Sequence, residues 1–194
     1  MPRDFWTQVI DIELPPIVRF ERQGGGKDAV DRAAKLLSEA KFPVILSGAG
    51  VVIGDAIDDC KKLAEKLDAP VCNGYQQNDS FPGSHPVAVG PLGYNGSKAA
   101  MELISKADVV LALGTRLNPF STLPGYGIDY WPKDATIIQV DMNPDRIGLT
   151  KKVTVGICCD AKMVAQQILE KLSSNAGDNG REDRKNLILS LIHI

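Results

Sequence analysis

The stretch from Ala107 to Gly148, ADVVLALGTRLNPFSTLPGYGIDYWPKDATIIQVDMNPDRIG, decides the reading of the fold. Asp108 to Leu113 is a short apolar run without alternation, the pattern of a strand covered on both faces. Thr136 to Val140 is a second strand, rich in β-branched residues. A long loop carrying prolines, glycines and aromatics joins them. The first strand runs into Gly114-Thr115-Arg116 and the second into Asp141. In open α/β sheets ligands sit outside the carboxyl ends of the strands, so Arg116 and Asp141 are the first site candidates. A plain surface salt bridge between the two is the competing reading.

Working outward, the same alternation continues on both sides. Asp28 to Ala40 places Val30, Ala33, Ala34, Leu37 and Ala40 on one helical face. Phe42 to Ser47 reads as a buried strand, Gly48-Ala49-Gly50 as a turn, and Asp55 to Leu67 as a helix with its acids early and its lysines late. Ala69 to Asn73 is the next strand. Residues 74–96 read as a turn-rich crossing, after which Ser97 caps a helix running to Ala107. Downstream of the central stretch come a strand at Lys152–Val155 and a helix at Asp160–Leu172. Helices alternating with short apolar strands predict an α/β fold, a doubly wound Rossmann-like parallel sheet with helices on both faces.

Size and composition set the class. The 194 residues suit one domain of ordinary size, with 44% hydrophobic and 24% charged residues. A net charge of −2 offers no basic face to nucleic acid or to an anionic membrane. No apolar run reaches membrane-spanning length, and the start has no apolar core of a signal peptide. Cys60, Cys72, Cys158 and Cys159 lack C-x-x-C spacing and read as reduced thiols, which makes the cytoplasm the expected compartment.

The ends read differently. Residues 1–27 form a connector, with Leu14-Pro15-Pro16-Ile17 extended and Gln23-Gly24-Gly25-Gly26 a flexible break. Residues 28–173 make the domain, and 174–188 a polar linker. Residues 189–194, Leu-Ser-Leu-Ile-His-Ile, resemble the translated end of a sequencing adapter and are set aside from fold reasoning.

Gly48-x-Gly50-x-x-x-Gly54 misses the dinucleotide fingerprint by one residue, and no acid ends the next strand. That disfavours an NAD-dependent dehydrogenase and points to tight packing rather than phosphate binding. Gly90-Pro-Leu-Gly-Tyr-Asn95-Gly96-Ser97 precedes a helix start that attracts anions, so a phosphate between it and Arg116 is one reading. A ligand-free glycine turn is the other. His85, in a Ser-His-Pro turn, reads as a solvated loop residue rather than a catalyst. No nucleophile pairs with a base, and no carboxylates have metal-ligand spacing.

These residues carry a resemblance. The order βα repeat, PLGYNG, ALGTRL and IQVDMNPDRIG resembles the central domain of thiamine-diphosphate-dependent enzymes of the acetolactate synthase group, over about residues 1–188. Within it, GYQQNDSFPGSHP, GPLGYNGSKAAM and GTRLNPFSTLPGYGIDYWP look most like the sulfoacetaldehyde acetyltransferases. The resemblance implies a homo-oligomeric parent, dimer or tetramer, with thiamine diphosphate and Mg2+ bound by a domain before and a domain after this one. Its substrates would be sulfoacetaldehyde and phosphate, its products acetyl phosphate and sulfite. The segment itself would be mainly structural and inactive alone, with no catalytic or metal-binding residue of its own. Nucleotide-site positions carried over are Asn95, Gly96, Ser97, Arg116 and Asp141. Asn95 stands where flavin-binding relatives have histidine, and Leu117-Asn118 where they tend to carry acids, so both departures argue against FAD. An acetolactate synthase or related decarboxylase is an alternative parent. A free-standing nucleotide-binding or sirtuin-like module is another class, though it lacks the deacylase histidine and zinc cysteines.

Overall fold

The computed structural model describes residues 21–192 together with Val9, Asp11, Glu13 and Pro16. The extended Leu14–Ile17 reading lies largely outside these residues.

Short runs of fully buried apolar residues become strands, and amphipathic runs become the helices that cover them. In chain order the elements are α1 (Lys27–Glu39), β1 (Pro43–Ser47), α2 (Ala49–Ile53), α3 (Ile57–Leu67), β2 (Val71–Asn73), β3 (Ala88–Pro91) and α4 (Lys98–Ile104). Then follow β4 (Val109–Leu113), β5 (Thr136–Asp141), β6 (Val155–Cys158), α5 (Ala161–Lys171) and α6 (Arg181–Ile192). Among the described residues the sheet has six strands in the order β3-β2-β1-β4-β5-β6, every pair parallel. The doubly wound prediction holds. Strand order reverses between β1 and β4, which are paired from Pro43–Val109 to Ser47–Leu113.

Side chains alternate across this sheet into two cores. Ile45, Leu111, Leu113, Ile138 and Val140 face one core with the inward residues of α1, α3 and α5. Val44, Leu46, Val110, Ala112 and Ile137 face the other, beneath α4 and part of α6. Both faces are covered, which is why β1 and β4 read as unbroken apolar runs.

Four local expectations change. Gly48-Ala49-Gly50, read as a turn, runs into the short helix α2 at Ala49–Ile53, and the crossing 74–96 contains the edge strand β3. The last strand lies at 155–158 rather than 152–155. The glycine break is fastened down: Gly25 N–H donates to Gln167 Oε1 (2.8 Å), and a Cβ on Gly24 would lie 2.7 Å from Gln167.

The polar stretch 174–188 is not a plain linker either, because α6 occupies its second half. Arg184 is fully buried and donates to the backbone carbonyls of Lys41, Leu67, Asp68, Gly177 and Asn179. It thereby satisfies free carbonyls at the C-terminal end of α3. Residues 189–192 continue α6 as its last turn. The packed body therefore extends beyond 28–173 at both ends.

Candidate functional site

Parallel strands deliver their following loops to one edge, and here those loops enclose a cleft of about 800 Å³. Gly48 to Gly50 come from the end of β1, Gly74 to Gln77 from β2, Gly114 to Arg116 from β4, Asp141, Met142 and Arg146 from β5, and Cys159 and Asp160 from β6. The cleft straddles the reversal between β1 and β4. The segment entering the domain reaches the same edge, where Arg22 pairs with Asp160 (3.3 Å) and donates to the carbonyl of Gly54. Asp160 also caps α5, accepting from the N–H groups of Lys162 and Met163.

The glycines of the near-fingerprint serve packing. A Cβ on Gly48 would stand 2.5 Å from the Gly114 carbonyl oxygen, and one on Gly50 2.7 Å from Gly114 Cα. Gly48 N–H donates to Leu113 O (3.0 Å) and Gly50 N–H to Gly114 O (2.8 Å), so neither is free for a phosphate.

Of the sequence candidates, Arg116 and Asp141 line the cleft. They form no ion pair with each other: among the described residues the Arg116 guanidinium has no carboxylate or hydrogen-bond partner. Asp141 is buried and accepts from Asn143 N–H through Oδ1 (2.8 Å). Asn95, Gly96 and Ser97 stand apart, outside the residues lining the cleft. Asn95 takes a left-handed turn (φ 58°), Gly96 and Ser97 N–H donate to Gly93 and Pro91 carbonyls, and Ser97 Oγ caps α4 by accepting from Ala100 N–H. The structure accounts for these three by turn and cap geometry.

Two residues that the sequence reading passed over matter more. Arg146, carried on the 3-10 turn Pro144–Arg146, is exposed at the cleft and forms no ion pair among the described residues. Gln139, buried within β5, donates through Nε2 to Thr115 O and to Arg146 O (3.1 Å each) and accepts from Gly148 N–H (2.9 Å). It ties together the loops bearing Arg116 and Arg146. A glutamine inside an apolar strand was the signal for it. Asn73 has a similar task, donating to Gln77 O and Ser80 Oγ and so shaping the loop after β2.

Among the described residues no histidine lines the cleft; His85 lies elsewhere, mostly covered, edge-on to Phe81 and 3.2 Å from Glu65, so it is a packed rather than a solvated residue. Cys159 lines the cleft, but burial pushes its thiol up to about 12, against reactivity. Among the described residues no three His, Cys, Asp or Glu side chains come together as a metal site. The cleft thus brings two arginines, Arg116 and Arg146, to one edge with the acceptor Asp141, and arginines are the side chains that pair with anions.

A family model described as "Thiamine pyrophosphate enzyme, central domain" matches residues 30–168. The chain belongs to this family. A probable sulfoacetaldehyde acetyltransferase of Rhizobium meliloti is 79% identical over 188 residues, covering 97% of this chain and 32% of that protein. A sulfoacetaldehyde acetyltransferase of Roseovarius nubinhibens is 75% identical, with 95% and 31% covered. A probable acetolactate synthase large subunit of Methanocaldococcus jannaschii is 36% identical, with 89% and 30% covered. The chain thus spans about a third of the length of these relatives. A benzoylformate decarboxylase of Polynucleobacter necessarius shares the fold, with a TM-score of 0.67 at 24% identity over 91% of this chain and 33% of that one.

Proposed function

We propose that this chain is the central domain of a sulfoacetaldehyde acetyltransferase, which converts sulfoacetaldehyde and phosphate to acetyl phosphate and sulfite. The observation that carries this is the identity of 79% to a relative so named, against 36% to an acetolactate synthase large subunit. Thiamine diphosphate supplies the acyl-transfer chemistry when bound. The resemblance assigns it and its Mg2+ to domains outside this segment, and among the described residues no three His, Cys, Asp or Glu side chains gather as metal ligands. The flanking domains of a cytoplasmic homo-oligomer would hold both, and residues 28–173 would space them.

The cleft is read without a flavin. Leu117 is buried in the core with a left-handed backbone (φ 51°), and Asn118 caps the 3-10 turn Pro119–Ser121 through Ser121 N–H. The two positions after Arg116 thus serve the loop, and the Gly48 and Gly50 amides are already bonded. Arg116, Asp141 and the remoter Asn95, Gly96 and Ser97 remain the nucleotide-site positions by resemblance, without an assigned occupant.

The test measures sulfite and acetyl phosphate from sulfoacetaldehyde and phosphate, with thiamine diphosphate and Mg2+ added. The longer protein carrying this segment releases the two products in equal amounts, and the 194-residue chain releases neither. Acetolactate from pyruvate in place of acetyl phosphate would move the parent to the acetolactate synthases. Turnover by the chain alone would end the structural role.

A further inference from the structure

Four aromatic side chains lie at the carboxyl edge by the cleft, on the loops that follow three strands. Tyr75 follows β2, Tyr94 follows β3, and Phe120 and Tyr126 belong to the loop after β4. Tyr75 stacks on Phe120 (ring centroids 5.5 Å apart) and meets Tyr94 edge-on (6.4 Å). Tyr94 N–H donates to Phe120 O, and Tyr126 OH to Gly96 O (3.2 Å), so the group is held as one surface. Yet Tyr94, Phe120 and Tyr126 are 58%, 54% and 67% exposed. An aromatic side chain stabilises a protein chiefly through the roughly 150–250 Å² it buries. A contiguous exposed group of this kind marks a contact surface.

The path of the chain says what covers it. Glu21 and Arg22 line the same cleft as Tyr75 and Phe120. Arg22 is pinned there by Asp160 and Gly54, and Gln23 O accepts from Asp160 N–H. The described chain therefore enters the domain at the carboxyl edge, at residues 21 and 22. The relatives are about three times as long as this chain, and the family is named for a central domain, with polypeptide on both sides. We infer that the face formed by Tyr75, Tyr94, Phe120 and Tyr126 is the docking surface for the domain that precedes residue 21 in the same polypeptide. This rests on the reading of the chain as a central domain. The opposing surface is apolar, with hydrogen-bond acceptors for the tyrosine hydroxyls.

The experiment places a photoreactive benzoylphenylalanine at position 126 of the longer protein, prepared as a mixture of 14N- and 15N-labelled chains. Irradiation gives cross-links to the region before residue 21, each within one isotope. Tyr94→Lys, at an exposed position, abolishes the cross-link while the melting temperature of the 194-residue chain stays unchanged. Mixed-isotope products would assign the face to a second copy, and links to the region after residue 192 to the following domain. Either result, or no cross-link at all, overturns the inference. Sulfite release by the same preparation is read separately, so a protein that cross-links as described but makes no acetyl phosphate defeats the acetyltransferase reading and leaves the docking face standing.

Discussion

Gln139 donates to the carbonyl of Thr115 at 3.1 Å, and through the same nitrogen to that of Arg146. One buried amide thus couples two loops whose arginines share a cleft. Each unpaired buried polar group costs about 1–3 kcal/mol. Gln139→Leu leaves two carbonyls and the Gly148 N–H without this partner. We expect a loss of about 2–4 kcal/mol, after relaxation and water entry, seen as a fall in the denaturation midpoint. Hydrogen exchange should quicken at 114–118 and 144–149 before it quickens in β1. Uniform quickening across the sheet would show that Gln139 is merely a core residue.

The approach of the β1 and β4 turns gives a second test. Gly50→Ala puts a methyl 2.7 Å from Gly114 Cα, a backbone atom that has no rotamer to escape into. Overpacking of this kind costs about 1–3 kcal/mol, and the fixed backbone places Gly50 at the upper end. Gly83→Ala is the control, since nothing lies within 4 Å of its added Cβ. Its melting temperature should stay within about a degree of the parent chain, as a surface change does. Equal behaviour of the two variants would remove the close-packing account.

Thiol chemistry offers a third. Cys60 and Cys72 are fully buried, Cys159 nearly so, and Cys158 is exposed. Burial pushes Cys60 and Cys159 from 9.0 up to about 12, and Cys72 also upward. An aromatic disulfide reagent near pH 8 should modify Cys158 alone in the native chain, and all four cysteines after unfolding. The folded thiols keep protons that the unfolded ones lose, so their stabilising effect is whole below pH 9.0 and drains away as pH rises towards about 12. A denaturation midpoint flat across that window would contradict the burial.

Legibility in the sequence followed the physics of burial. β1, β4 and β5 were plain because strands covered on both faces have no competing pattern. Val153, Val155 and Ile157 alternate without a break, so the period located a strand but not where its pairing with β5 begins, and β6 lies three residues later. β3 contains Gly90 and Pro91, residues that argue against a strand except at an edge, which is where it lies. α6 hid because its most deeply buried side chain is Arg184, held by carbonyls on other segments. At the cleft, Arg116 and Asp141 could be found by their place after strands. Arg146 could not, because Asn143 and Pro144 first shape the 3-10 turn that carries it.

The loop from Leu117 to Lys133 supports the last prediction, because its four aromatics do not share one fate. Pro119, Pro124 and Pro132 limit the loop's freedom and lower the entropy it loses on ordering. Tyr130 is 1% exposed and donates to Ser121 O (3.1 Å), whereas Phe120 and Tyr126 face outward. Tyr130 is therefore the anchor from which the outer aromatics are presented, and Trp131 beside it takes Lys151 Nζ over its ring at 5.1 Å. Tyr130→Phe keeps the ring and removes the hydroxyl, leaving the Ser121 carbonyl unpaired, and should cost about 1–2 kcal/mol. Tyr130→Ala removes the ring as well, at about 3–5 kcal/mol. Chymotrypsin digestion separates the two effects, since Phe120 and Tyr126 become substrates once the loop lifts. The alanine variant should be cut at both positions much faster than the original chain, and the phenylalanine variant only slightly faster. Equal cutting of all three would mean that the loop is held by its prolines and not by Tyr130.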